Sequence, residues 1–128
     1  MSLASVSNTF LGLVGVGTGG PAVALVLGFP ETVIKGLGGR PAANWSASPE
    51  AKFGLFLYTV SDICLAVLCG ASLVGSTSTT LALGATAVHQ FSYLAAAIPS
   101  IGYCKEQWGS IIFGAIAGML SVANANSS

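Results

Sequence analysis

Apolar residues run almost without interruption through four stretches of the chain, at residues 9–29, 53–74, 80–98 and 108–123, and polar residues gather between them. The runs do not alternate apolar with polar positions, and they exceed the ~9–11 residues of a transmembrane barrel strand. Each approaches the ~20 residues that a helix needs to cross ~30 Å of hydrocarbon. In lipid only helices and closed barrels satisfy the backbone. The pattern therefore predicts an all-α fold, an integral membrane bundle of four transmembrane helices, as a single domain over residues 1–128. The fourth run is short, which predicts little tilt or a thin stretch of bilayer.

The connections differ in kind. Residues 30–52 contain Pro30, Gly36, Gly38, Gly39, Pro41 and Pro49, so they do not form one continuous helix. Glu31–Leu37 is expected as a short interfacial helix. Trp45 is expected to anchor at the headgroup level, and Trp108 to do the same at the start of the fourth run. Ser48-Pro49-Glu50 reads as a helix start, with Ser48 as N-cap and Pro49 at the first helical position. Residues 75–79 are short and uncharged, and residues 99–107 carry Lys105 and Glu106.

Composition sharpens this picture. Charged residues make up 6% of the chain, against about 25% in soluble domains. Hydrophobic residues make up 53%, and the mean hydropathy is +0.82. So few charges cannot cover a water-facing surface. The net charge is zero and no basic cluster occurs, which argues against a nucleic-acid partner. The four basic residues, Lys35, Arg40, Lys52 and Lys105, all fall in the first and third connections. The positive-inside rule places those two segments, 30–52 and 99–107, on the cytosolic, matrix or stromal side, with both termini opposite. Residues 1–8 hold no Lys or Arg, so the chain lacks the basic start of a secretory signal and the Arg-rich character of a transit peptide. Targeting is then expected to reside in the spans or in a presequence preceding this numbering.

Three cysteines, Cys64, Cys69 and Cys104, form no CxxC and indicate neither a disulfide framework nor a zinc site. Asn44-Trp45-Ser46 fits a glycosylation sequon but falls on the side where it would not be modified. Residues 15–20 satisfy G-x-G-x-x-G literally. A dinucleotide site would also need a preceding strand and a later acidic residue. Inside an apolar run, with Pro21 next, the glycines instead predict a kink or loosened turn.

Small residues recur at helix-contact spacing: Gly15 and Gly19, Ala66 and Gly70, Gly114 and Gly118. Such pairs let helices approach closely in lipid. They serve either the bundle itself or, on the fourth helix, a neighbouring protein.

Two ionisable side chains lie within the apolar runs, Asp62 and His89. Each sits nine residues from the charged end of its helix, or ~13 Å at 1.5 Å per residue. Antiparallel neighbours would bring them together, which would relieve much of the cost of placing an ionisable group in lipid. Tyr58 precedes Asp62 by four residues and Tyr93 follows His89 by four, so each pair shares a helix face. Tyr58, Asp62, His89 and Tyr93 thus define an expected polar seam. Its plainest role is to fix helix register. The chemical alternatives are a proton or quinone site, or a pigment or haem ligand through His89. One His and one Asp make no complete metal set. A His89 bonded at both ring nitrogens would not ligate a pigment.

The Gly-rich first run, the long polar segment, Pro49-Glu50-Ala51-Lys52-Phe53-Gly54 opening the second run, and the two closely joined runs that follow resemble the DoxX-like small four-helix membrane proteins. The resemblance implies a small accessory membrane protein associated with oxidoreductases, and it assigns no catalytic residue.

The favoured expectation is an accessory subunit, without catalytic activity of its own, of a membrane-embedded energy-transducing complex such as a photosystem or respiratory complex. It would brace neighbouring helices and hold lipid, chlorophyll or carotenoid, in a thylakoid or mitochondrial inner membrane. The alternatives are a small redox or quinone-linked membrane enzyme and an oligomeric transporter or channel.

Overall fold

The computed structural model describes residues 1–28, 48–101 and 107–127. The short interfacial helix expected at Glu31–Leu37, the Trp45 anchor, and Lys35, Arg40, Lys105 and Glu106 lie outside the described residues. The described residues form four helices: α1 (Leu3–Val26), α2 (Pro49–Leu73), α3 (Thr79–Ile101) and α4 (Trp108–Asn126). The fold is all-helical. Three helical stretches, Leu3–Val26, Phe56–Leu73 and Trp108–Asn126, are long and apolar enough to cross a membrane. α3 is not among them, and His89, Gln90, Ser92 and Tyr93 interrupt its apolar character near its middle.

Each helix runs past its expected apolar run at one end or both, whereas α1 ends at Val26, before the expected residue 29, and α2 at Leu73, before residue 74. Local chemistry explains most of the ends. α1 begins at Leu3 rather than at residue 9 because the Ser2 hydroxyl caps it, accepting from the Ser5 N–H at 3.1 Å. It stops at Val26, where Gly28 takes φ of +81°, a left-handed value that favours glycine. α2 starts at Pro49 rather than at residue 53, as the Ser48-Pro49 signature indicates. Its far end is a Schellman motif: Ser76 N–H reaches Ala71 O at 2.8 Å, Gly75 N–H reaches Ser72 O, and Gly75 has φ of +78°. Two residues later the Ser78 hydroxyl accepts from the Leu81 N–H at 3.3 Å and opens α3. α3 continues through Pro99 to Ile101, and α4 extends to Asn126.

The glycine run in α1 does not loosen the helix. α1 is continuous α-helix through Gly15–Gly20 and Pro21. The Thr18 hydroxyl donates to Val14 O at 2.8 Å within this stretch. Gly15 and Gly19 serve close approach to α2 instead, while Gly17 and Gly20 face open space.

α1 packs chiefly against α2, and α3 against α4; the α2–α3 contact joins the two pairs. Contacts run in opposite chain directions at each pairing. Gly15 faces Cys69 while Gly19 faces Ala66. Gly84 faces Ser121, Gly118 faces Ala87, and Gly114 faces Gln90 and Phe91. The helices are therefore antiparallel neighbours. The ends at Val26, Pro49, Ile101 and Trp108 share one end of the bundle, and both termini share the other with the turn at residues 74–78. Lys52, in the first turn of α2, belongs to the former end.

The core joins α1, α2, α3 and α4 through Phe10, Leu11, Val14, Leu65, Cys69, Ala82, Leu83 and Ala117. Many large apolar side chains point outward instead. Val16 is 76% exposed, Val67 66%, Val88 66% and Met119 65%. In water such a surface would aggregate. In lipid it faces a medium of its own polarity, so the exterior is compatible with a membrane location.

Hydrogen bonds tie the terminal end together. Asn124 Nδ2 donates to Ser7 Oγ at 2.8 Å, linking α4 to α1. Ser121 Oγ donates to Thr80 O at 3.0 Å, linking α4 to α3. Replacing Ser7 by Ala removes the first link while Asn124 retains its bond to Leu120 O at 2.8 Å. The expected loss is about 0.6–1.5 kcal/mol, the range of interhelical hydrogen bonds in membranes. Denaturant unfolding of the purified protein in mild detergent measures it, and a Ser7→Ala protein as stable as the wild type would show that the bond contributes nothing.

Candidate functional site: the polar seam between α2 and α3

α2 and α3 run antiparallel from the Gly75 turn, so residues equally distant from that turn face each other. Ser72 meets Thr79, with Oγ to Oγ1 at 3.4 Å, and Cys69 meets Thr86 at 3.9 Å. Seven residues back along α2 from Cys69 and three residues on along α3 from Thr86, Asp62 meets His89. The distance from Asp62 Oδ1 to His89 Nε2 is 3.2 Å. Matching depths in two antiparallel helices thus locate the contact correctly.

The rings follow the same register. Tyr58 lies 5.7 Å from His89 and 5.4 Å from Tyr93, centroid to centroid, both tilted. Tyr58, Asp62, His89 and Tyr93 therefore form one cluster, as the spacing of four on each helix predicts. Both Asp62 and His89 side chains keep 14% of their surface exposed.

Ser61 completes the cluster. Its hydroxyl lies 2.7 Å from Tyr58 O and 3.1 Å from His89 Nε2. A carbonyl oxygen only accepts, so the serine proton goes to Tyr58 O. Ser61 Oγ then accepts from the ring, which puts a hydrogen on Nε2. Asp62 Oδ1 sits near the same nitrogen but makes no aligned hydrogen bond with it. That contact is electrostatic. His89 Nδ1 is enclosed and has no hydrogen-bond partner.

This geometry bears on His89 as a pigment or haem ligand. Nε2 is directed at Ser61 and Asp62, and Nδ1 is enclosed by protein. Neither nitrogen presents an open lone pair at the surface, so axial ligation would require the ring to turn out of the seam. Among the described residues no group of three or more His, Cys, Asp or Glu side chains could hold a metal ion.

The small-residue pairs separate by use. Gly19 sits so close to α2 that a Cβ built on it would lie 2.6 Å from Ala66 Cβ, and one on Gly15 would lie 3.7 Å from Cys69 Cβ. A Cβ built on Gly114 would lie 3.1–3.2 Å from Gln90 Cβ and the Phe91 ring, and one on Gly118 would lie 3.9 Å from Ala87 Cβ. Gly114 and Gly118, two of the three glycines of α4, therefore lie inside the bundle against α3, while Gly109 faces open space. Gly70 is exposed and a Cβ there would meet nothing within 4 Å; Cys69, one residue earlier, makes the contact with α1. Trp108, the expected anchor of α4, is 53% exposed at the bundle end where α4 begins.

Sequence reasoning did not place Ser61 in the seam, and it missed Ser7 and Asn124. Ser61 precedes Asp62 and faces the same seam, which is the signal that would have found it. Asn124 lies in a polar C-terminal stretch that reads as a tail and carries no periodic cue.

Comparison with protein-family models, with curated proteins and with solved structures finds no match for this chain.

Proposed function

We propose that the chain is a small integral membrane protein that acts as an accessory subunit of a larger membrane-embedded complex. The observation that carries this reading is the distribution of polarity. The side chains of Ser7 and Asn124, of Ser121 on the Thr80 backbone carbonyl, and of Asp62 and His89 are spent on contacts between the chain's own helices. The outward surface of all four helices is apolar: Leu13 and Val16 on α1, Phe56 and Val67 on α2, Leu81 and Val88 on α3, Ile112 and Met119 on α4. Such a surface suits lipid tails, neighbouring helices and apolar pigments such as carotenoid or chlorophyll. In this reading α3 crosses with the other three helices, its polar middle covered by α2. The basic segments face the cytosol, matrix or stroma. The setting is an energy-transducing membrane, thylakoid or mitochondrial inner, in a photosystem or respiratory complex. It is inferred from the type of protein and from the DoxX-like layout.

Extraction from the native membrane in gentle detergent, followed by mass spectrometry and an absorption spectrum, tests the reading. Co-migration with a large assembly at fixed stoichiometry is expected, and the spectrum tells a photosystem from a respiratory complex. A lone small species would overturn it.

A second reading, a small quinone-linked or redox membrane enzyme, is favoured by one observation: two tyrosines, a carboxylate and an imidazole meet at a single point in the seam. It requires His89 for turnover, and intact turnover in a folded His89→Ala protein would sink it. The enclosure of Asp62 Oδ1 weighs against a channel, which needs a solvated path past that carboxylate.

A further inference from the structure

The buried positions of α2 and α3 form two rows. On α2 they are Thr59, Leu65, Cys69 and Ser72, and the half-buried Asp62 falls in the same row. On α3 they are Leu83, Thr86, Gln90 and Leu94. Spacings of three and four put each row on the side of its helix turned to the bundle interior. The contact of Asp62 with His89 sets Asp62 and Gln90 at one depth, since Gln90 follows His89.

The interior changes character at that depth. Toward the chain termini it is apolar core, with Leu11, Leu65, Leu83 and Ala117. The buried polar groups there are paired: Ser7 with Asn124, Ser72 with Thr79, and Thr86 with Ala82 O. Gln90 differs. It is 7% exposed, and its side chain has no hydrogen-bond partner among the described residues. Neither amide atom is sealed off, because the enclosed atoms without a partner are Asp62 Oδ1 and His89 Nδ1. Asp62 is similar. Oδ1 is enclosed, so the open part of the side chain lies with Oδ2 and its stem. Two polar side chains thus turn inward on the basic-segment side of the core, and no protein donor answers them.

Between Phe53 and Ile101, Asp62 and His89 are the only Asp, Glu, Lys, Arg or His residues, and α1 and α4 contain none. The bonding of His89 describes a neutral ring: Ser61 holds the hydrogen on Nε2, and Nδ1 meets no acceptor for a second. The spans therefore hold no cation to balance an ionised Asp62. One positive charge balances it, whereas a divalent ion would leave net charge in apolar surroundings. A carboxylate and an amide carbonyl are oxygen donors, which suit hard cations.

We infer that Asp62 and Gln90 hold a small monovalent cation inside the bundle. The Asp62 carboxylate supplies the charge, the Gln90 carbonyl a neutral oxygen, and water the rest of the shell. The apolar core beneath closes the way to the far side, which makes this a binding site and not a channel. The inference goes beyond the accessory-subunit reading and stands whether or not the chain has partners.

Thermal unfolding of the full chain in lipid nanodiscs tests it. Choline chloride is replaced stepwise by sodium, potassium or ammonium chloride at fixed ionic strength. A bound cation stabilises the folded chain by mass action, and choline is too bulky to enter. The wild-type midpoint is expected to rise and saturate with at least one small cation, and the three salts tell which. Gln90→Leu is expected to move saturation to a several-fold higher concentration. Asp62→Asn is expected to lose the cation-dependent rise, whatever its midpoint in choline. A wild-type midpoint indifferent to all three cations overturns the inference and leaves Asp62 and Gln90 to water. A rise that persists in Asp62→Asn, or is unchanged in Gln90→Leu, also overturns it, because the cation then binds elsewhere. The wild type and Gln90→Leu decide the matter even where Asp62→Asn does not fold.

Discussion

Gly19→Leu is expected to separate α1 from α2. A Cβ at residue 19 would stand 2.6 Å from Ala66 Cβ, closer than real Cβ contacts come. Ala66 Cβ is fixed to its backbone and has no rotamer to yield, so the helices themselves must move apart. Overpacking of this kind costs about 1–3 kcal/mol, and a leucine falls at the upper end. Gly19→Ala isolates the mechanism. It gains about 1 kcal/mol of helix propensity and still loses overall if the clash dominates. Shaving the opposing atom in Gly19→Ala/Ala66→Gly should then recover most of the loss. Gly17 is the control, because it is exposed and a Cβ there meets nothing within 4 Å. Gly17→Leu should leave stability unchanged or slightly raised. Denaturant unfolding in detergent measures all four, and a Gly19→Leu protein as stable as the wild type would show that α1 and α2 do not pack as described.

His89→Ala is expected to destabilise the bundle by about 3 kcal/mol, because removing one partner of a buried pair leaves the other uncompensated. Asp62 would lose its 3.2 Å contact, and Ser61 Oγ would lose the ring it accepts from. The Tyr58 ring would lose the imidazole it leans on at 5.7 Å. Interhelical polar pairs in membranes average only ~0.6 kcal/mol; the larger figure expected here comes from the stranded carboxylate rather than from the contact itself. A double-mutant cycle separates the two. Asp62→Ala/His89→Ala should be markedly more stable than His89→Ala alone. If the double variant loses as much as the sum of the single ones, Asp62 and His89 act independently and the seam is not a unit.

Both expectations began in the chain. Long apolar runs locate all four helices, the third in spite of the polar residues His89, Gln90, Ser92 and Tyr93 near its middle. The equal depths of Asp62 and His89 bring that pair together. The helix ends were less legible. A serine at residue 2 and a Gly-mediated Schellman turn set them through single hydrogen bonds, which hydropathy does not register. The glycine run was misread for a related reason. Glycine marks a weak helix and a close helix contact equally well, and only the position of Ala66 decides between them. Gly70 shows the converse, a correctly spaced small residue that faces away from the partner helix. The tie between Ser7 and Asn124 joins opposite ends of the chain, a separation at which no local pattern carries information.

That same tie makes the bundle a closed ring of helices. α4 returns to α1 as closely as a side-chain hydrogen bond allows, beside the turn that joins α2 to α3. A ring has no intrinsic beginning. Joining Asn126 to Leu3 through a short linker and opening the chain between residues 74 and 78 would give the order α3, α4, α1, α2 with the same neighbours. Closely spaced termini are the setting in which circular permutation is tolerated. The arrangement of the helices is thus separable from the order in which the ribosome makes them.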